Sequence, residues 1–226
     1  FTLIDHRELL REAIDPEYAE FTAKLIPGKE GIIGVRSPDM KRIAKLIIKD
    51  DWEAFLREEP TNFEENNLKG LVIATAKMDD GIRLRYTEDY IDSIDNWATC
   101  DMFCAAWKFS EKSSSGVYDY FASLMDSGEE YRMRVSLVFR MDHFIDEDHI
   151  QDILKDIISY DHEGYYYKMG AAWAMSVCFV KFPEQTYDAL RSDSLDDWIC
   201  NKSIQKIRES YRVSDEDKMK VKTLKR

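Results

Sequence analysis

The chain has 226 residues, with 44 acidic against 32 basic side chains and a net charge of −12. That length supports one sizeable core or one repeat array, and the acidic balance argues against a generic nucleic-acid binder. No run approaches the roughly 18 apolar residues that a membrane span needs, and residues 1–14 are charged throughout, so neither a membrane segment nor a secretory signal is expected.

Helical periodicity dominates from the start. Asp5 is the expected N-cap of a helix over 5–14, and Pro16 suits the first position of a second helix reaching about Ile26. Ser37-Pro38 reads as a cap and an N1 proline, opening a helix to about Lys49. Asp51 to about Glu58 reads as a short helix; Thr61 is the expected cap of the next, which runs to about Met78 and ends at Asp79-Asp80-Gly81. Residues 82–94 and 97–109 form a pair with Asn96 as the cap between them, and the SSSG run at 113–116 is expected to break the chain. Further helices are predicted over 115–126, 129–144, 147–159, 164–181, 184–191 and 195–211, with Asp146 and Ser194 as caps.

The connections are short, so neighbouring helices should be antiparallel. Two helices recur about every 35 residues, the mark of a degenerate helical-repeat array; a compact irregular bundle is the competing architecture. One domain over 1–226 is expected, with a short basic end at about 214–226. Residues 202–226 carry nine Lys and Arg against four acids, leaving −17 on the rest. Such an end binds phosphates locally or is a solvated tail. Cys100, Cys104, Cys178 and Cys200 read as reduced, packed thiols in a cytoplasmic setting. His6, His143, His149 and His162 do not supply matched pairs for zinc, so no metal is expected.

Trp97 and Asp101 are four apart and share a helix face with Cys104 and Ala105. A carboxylate on so apolar a face is costly to bury without compensation. It is either structural, paired with an arginine or capping a neighbour, or aimed at a cationic substrate.

Several segments resemble the AlkD-like DNA alkylation repair family: GVRSPDMKRIAK at 34–45, DNWATCD at 95–101, YRMRVSLVF at 131–139, YYYKMGAAWAMS at 165–176 and NKSIQKIRESYRV at 201–213. They occur in family order. The resemblance implies an all-α, curved solenoid of HEAT-like antiparallel helix pairs that cradles duplex DNA. It implies excision of cationic N3- or N7-alkylated purines by N-glycosidic hydrolysis, without a cofactor, by a monomer. Asp101 matches the family's catalytic carboxylate, Trp97 and Trp173 its two active-site tryptophans, and Arg134 its phosphate-holding arginine. Lys168, Lys202 and Lys206 are further candidates for phosphate contacts. Trp52, Trp107 and Trp198 have no counterpart and read as core. The acidic charge favours the alternative, a non-catalytic repeat module that binds a protein or a structured nucleic acid.

Overall fold

The computed structural model describes residues 4–226, and among them the chain is all-α, without a strand. One isolated antiparallel bridge joins Ile14 and Val35. The helices divide into two compact units, residues 1–117 and 118–226.

The first unit begins with α1 (His6–Glu12), α2 (Pro16–Leu25) and α3 (Ser37–Lys49). Asp5 and Asp15 cap the first two, each accepting an N–H of the first turn at 3.0 Å. The predicted Ser37 cap is shifted by one residue. Arg36 holds the cap position without a side-chain bond, and Ser37 is already helical. There follow α4 (Trp52–Leu56), α5 (Phe63–Thr75), α6 (Asp80–Ile91) and α7 (Trp97–Ala106). Asn62, not Thr61, caps α5, and Glu65 at its third position reaches back to the Thr61 N–H at 2.9 Å. Burial pushes the Glu65 carboxyl up, but hydrogen bonds from Arg7 and Thr61 outweigh it and hold it below the usual range. α5 stops at Thr75, and Asp79 caps α6 instead of ending its predecessor. The buried Arg83 donates to the carbonyls of Ile73 and Ala76, satisfying backbone acceptors at the buried C-terminal end of α5.

α8 (Ser114–Ser123) corrects the expected SSSG break. A 3-10 turn at Glu111–Ser113 leads straight into it, so the serines open a helix. The second unit contains α9 (Glu130–His143), α10 (Ile150–Ser159), α11 (Tyr165–Lys181), α12 (Pro183–Leu190), α13 (Asp197–Glu209) and α14 (Asp215–Lys222). Asp146 caps a turn rather than the helix: its Oδ1 accepts from the N–H of Asp148 and His149, and α10 begins after it. Asp196, not Ser194, caps α13, accepting from the Ile199 N–H at 2.8 Å. The end at 214–226 is folded, not a solvated tail. Ser214 caps α14, Val221 is buried, and the Arg226 guanidinium donates to the carbonyls of Leu190, Ser192 and Leu195.

Within each unit alternate helices pack side by side, α3 on α5 on α7 in the first and α9 on α11 on α13 in the second, with α4, α6, α10 and α12 against them. This is the helical-repeat organisation that the periodicity predicts. The first core centres on Ile43, Leu68, Val72, Ile91 and Phe103. The second centres on Leu137, Ile153, Tyr167, Met175 and Ile207. Gly170, Ala171, Ala172 and Ala174 give α11 a slim profile, which lets α9 and α13 approach it closely. All four cysteines are free and buried, and burial pushes the Cys178 thiol up to about 12.

Candidate functional site

The loop before α3 fixes where that helix starts. Gly34 has a φ of +89° and its N–H donates to Glu64 Oε1 at 2.7 Å. Ile33 and Val35 donate to the same buried carboxylate at 3.0 and 3.3 Å. A charged acceptor on α5 therefore meets a nest of three backbone donors. The segment that resembles the family's early turn thus owes its form to one glycine and one distant glutamate.

α7 is anchored just as firmly. Asn96 accepts from the Thr99 N–H at 2.9 Å, and Thr99 Oγ1 donates to Asn67 of α5 at 2.7 Å. Lys29 clamps Asp95 at 2.7 Å; burial pushes the Asp95 carboxyl up, but the bonds from Lys29 and Asn96 outweigh this and lower it. These contacts set the first turn of α7, which carries Trp97. The indole N–H donates to the Leu25 carbonyl at the end of α2, at 3.1 Å. One edge of the ring is thereby fixed, and the half-buried ring lines a cavity of about 160 Å³ with Tyr18, Phe21, Leu25 and Met102. Asp101 stands one helical turn further along, half-buried. Ala105, one turn beyond, is exposed, while Cys104 is fully buried.

In the second unit Arg134 is buried on α9, and its Nη1 donates to the Tyr166 carbonyl of α11 at 2.7 Å. The side chain lies against Gly170. Trp173, one turn on in α11, is half-buried. Lys206 of α13 is close enough to feel both Arg134 and Lys202. Burial lowers its ammonium below the ordinary lysine range, Glu209 raises it, and the two like charges lower it again. Arg134 and Lys202 thus both stand near Lys206, together with the Glu209 carboxylate. Lys168 differs, since its ammonium is shared between Glu163 at 3.4 Å and Asp196 at 3.3 Å. Burial lowers it, but these carboxylates outweigh that and raise it.

A family model described as DNA alkylation repair enzyme matches residues 6–178. The chain belongs to this family. A comparison with curated proteins returns no match. The matched stretch of this DNA alkylation repair enzyme family contains Trp97, Asp101, Arg134, Lys168 and Trp173. It stops before Lys202 and Lys206, so the segment at 201–213 rests on its own residues.

The remaining tryptophans divide. Trp107 is buried, as expected. Trp52 and Trp198 are only half-buried: Trp52 meets Tyr86 edge to face, and Trp198 lies under Lys202 with the ammonium 5.6 Å from its ring. Sequence reasoning missed the Glu64 nest and Arg140, which is fully buried with Nη1 on Asp156 at 2.6 Å and Nη2 on Ser136 at 3.0 Å. An arginine inside an apolar stretch was the available signal. Among the described residues, no three His, Cys, Asp or Glu converge as a metal site requires, and no helix is long and apolar enough to cross a membrane.

Proposed function

We propose that the protein, acting as a monomer, excises cationic N3- or N7-alkylated purines from duplex DNA by hydrolysis of the N-glycosidic bond. The observation that carries this reading is Asp101, half-buried one helical turn from a tethered Trp97, in a member of a DNA alkylation repair family. An alkylated purine already bears a positive charge. When the C1′–N9 bond breaks, its electron pair neutralises the base, so no general acid is needed. Positive charge then develops on the sugar, where the Asp101 carboxylate stabilises it and orients a water. The water oxygen bonds to C1′ and its proton passes to solvent. The indole face of Trp97 attracts the cationic base or sugar, and the family resemblance assigns the same kind of role to Trp173 of the second unit. Arg134, with Lys202 and Lys206, holds backbone phosphates; Lys168 serves there only by exchanging a carboxylate for a phosphate.

The test is release of 7-methylguanine and 3-methyladenine from methylated duplex DNA at low salt. Wild type should release base, and Asp101→Asn should be slower by about 10²–10³-fold with its DNA affinity retained. No release by wild type defeats the reading. Equal release by both removes Asp101 from the chemistry. The net charge of −12 favours a second reading, a non-catalytic repeat module; DNA binding without any release supports that one.

A further inference from the structure

Residues toward the starts of α3, α5 and α7 line the cavity beside Trp97, and residues further along the same helices line a larger open groove of about 470 Å³. The three helices therefore run in the same direction. The floor of this groove is apolar, formed by Ala44, Ile48, Leu71 and Ala105. Its rim carries Lys41, Lys45 and Lys49 from α3 and Lys108 just past α7, all exposed. No carboxylate lines it, and among the described residues none of these four ammonium groups has an ion pair or hydrogen bond. In a chain of net charge −12 this is a local reversal of sign.

A helix-end role accounts for part of the pattern only. Lys49 closes α3, where a cation complements the helix dipole. Lys41 and Lys45 lie in the second and third turns of α3, where that benefit is absent. Four unpaired like charges around one groove repel one another, and a polyanion relieves that repulsion.

We infer that this groove binds the sugar–phosphate backbone of one DNA strand, with Lys41, Lys45 and Lys49 on successive phosphates, Lys108 on a further phosphate from the α7 rim, and the apolar floor against deoxyribose. Lys41, Lys45 and Lys49 recur every four residues, a rise of about 6 Å per step along the helix, on the order of the spacing of consecutive phosphates along a strand. The groove also leads to the proposed chemistry. Asp101 stands one turn before Ala105 on α7, and Lys108 follows three residues later. The inference rests on the proposed function and adds a backbone anchor on the Asp101 side.

The experiment measures duplex DNA affinity against salt concentration for three proteins. One is wild type. The second carries Lys41→Gln, Lys45→Gln, Lys49→Gln and Lys108→Gln. The third carries Lys24→Gln, Lys77→Gln, Lys112→Gln and Lys155→Gln, four exposed lysines outside the groove with the same change in net charge. Each neutralised phosphate contributes about 0.9 to the slope of log affinity on log salt. The groove variant should lose about 3.6 units of slope and at least tenfold in affinity at low salt, and the control variant should keep the wild-type slope. Equal slopes in the two variants overturn the groove while leaving excision by wild type intact. Absence of DNA binding by wild type overturns the proposed function and the groove with it. Loss of binding to phosphatidylserine vesicles in the groove variant, with DNA binding unchanged, overturns the inference in favour of a membrane surface.

Discussion

Arg134 lies so close over Gly170 that a methyl group at position 170 would meet its Cγ at 3.3 Å and its Nη1 at 3.4 Å. The glycine sits inside α11, where alanine is intrinsically better by about 1 kcal/mol. Gly170→Ala should therefore keep the melting temperature within about 3 °C of wild type, as propensity offsets crowding. The guanidinium must move by a few tenths of an ångström, and single-turnover excision should fall several-fold. An unchanged rate would separate the position of Arg134 from the reaction.

Gly34 admits no such exchange. A Cβ there would stand 2.2 Å from the Asp15 carbonyl oxygen, and φ is already in the left-handed region. Gly34→Ala should cost about 3 kcal/mol or more, a loss of roughly 6–12 °C in a calorimetric melt. Glu64→Gln turns an amide donor toward backbone donors and should cost about 1–3 kcal/mol.

Trp97 offers a division between tether and ring. Trp97→Phe removes the N–H that reaches Leu25 but keeps an aromatic face. Stability should fall by about 1 kcal/mol at most. Trp97→Leu removes the face as well, and the lost cation–π attraction of about 0.5–2 kcal/mol corresponds to roughly 2- to 30-fold slower excision. Comparable rates for the Phe and Leu variants would argue that the ring does not meet the charged base.

The lowered pKa of Lys206 has opposite consequences for stability and for binding. Its charged form is disfavoured in the folded chain, so stability from this group increases as pH rises from its folded value toward the ordinary 10.5. Phosphate binding requires the proton, so DNA affinity should weaken through the same window, earlier than ordinary lysines titrate. Lys206→Arg should flatten the profile. A wild-type affinity independent of pH below the lysine range would remove Lys206 from the interface.

Periodicity made most helices legible, and capping residues placed some of their starts, as at Asp5 and Asn96. Two of the misplaced starts fell where two good caps stand close together. Thr61 precedes Asn62, and Ser194 precedes Asp196; the choice depends on partners such as Lys168, which also holds Asp196. Three serines read as a break because serine suits loops and helix starts alike. The Trp97–Asp101 spacing was visible in the chain, since one helical turn relates the two residues. The burial of Arg134 was not, because its acceptor is a carbonyl 32 residues away. The groove lysines escaped attention because a net charge of −12 averages over their neighbourhood.

The last helix has a practical consequence. Cys200 is fully buried, with its Sγ facing the carbonyls of Leu190 and Leu224 at 3.6 and 3.9 Å. Anything that lifts the segment after α14 uncovers that thiol, while Cys100, Cys104 and Cys178 stay within their own cores. The rate at which a thiol reagent consumes one equivalent is then a clock for local opening. Loosening the Arg226 clamp with Arg226→Ala should make that clock run faster well below the temperature of global unfolding.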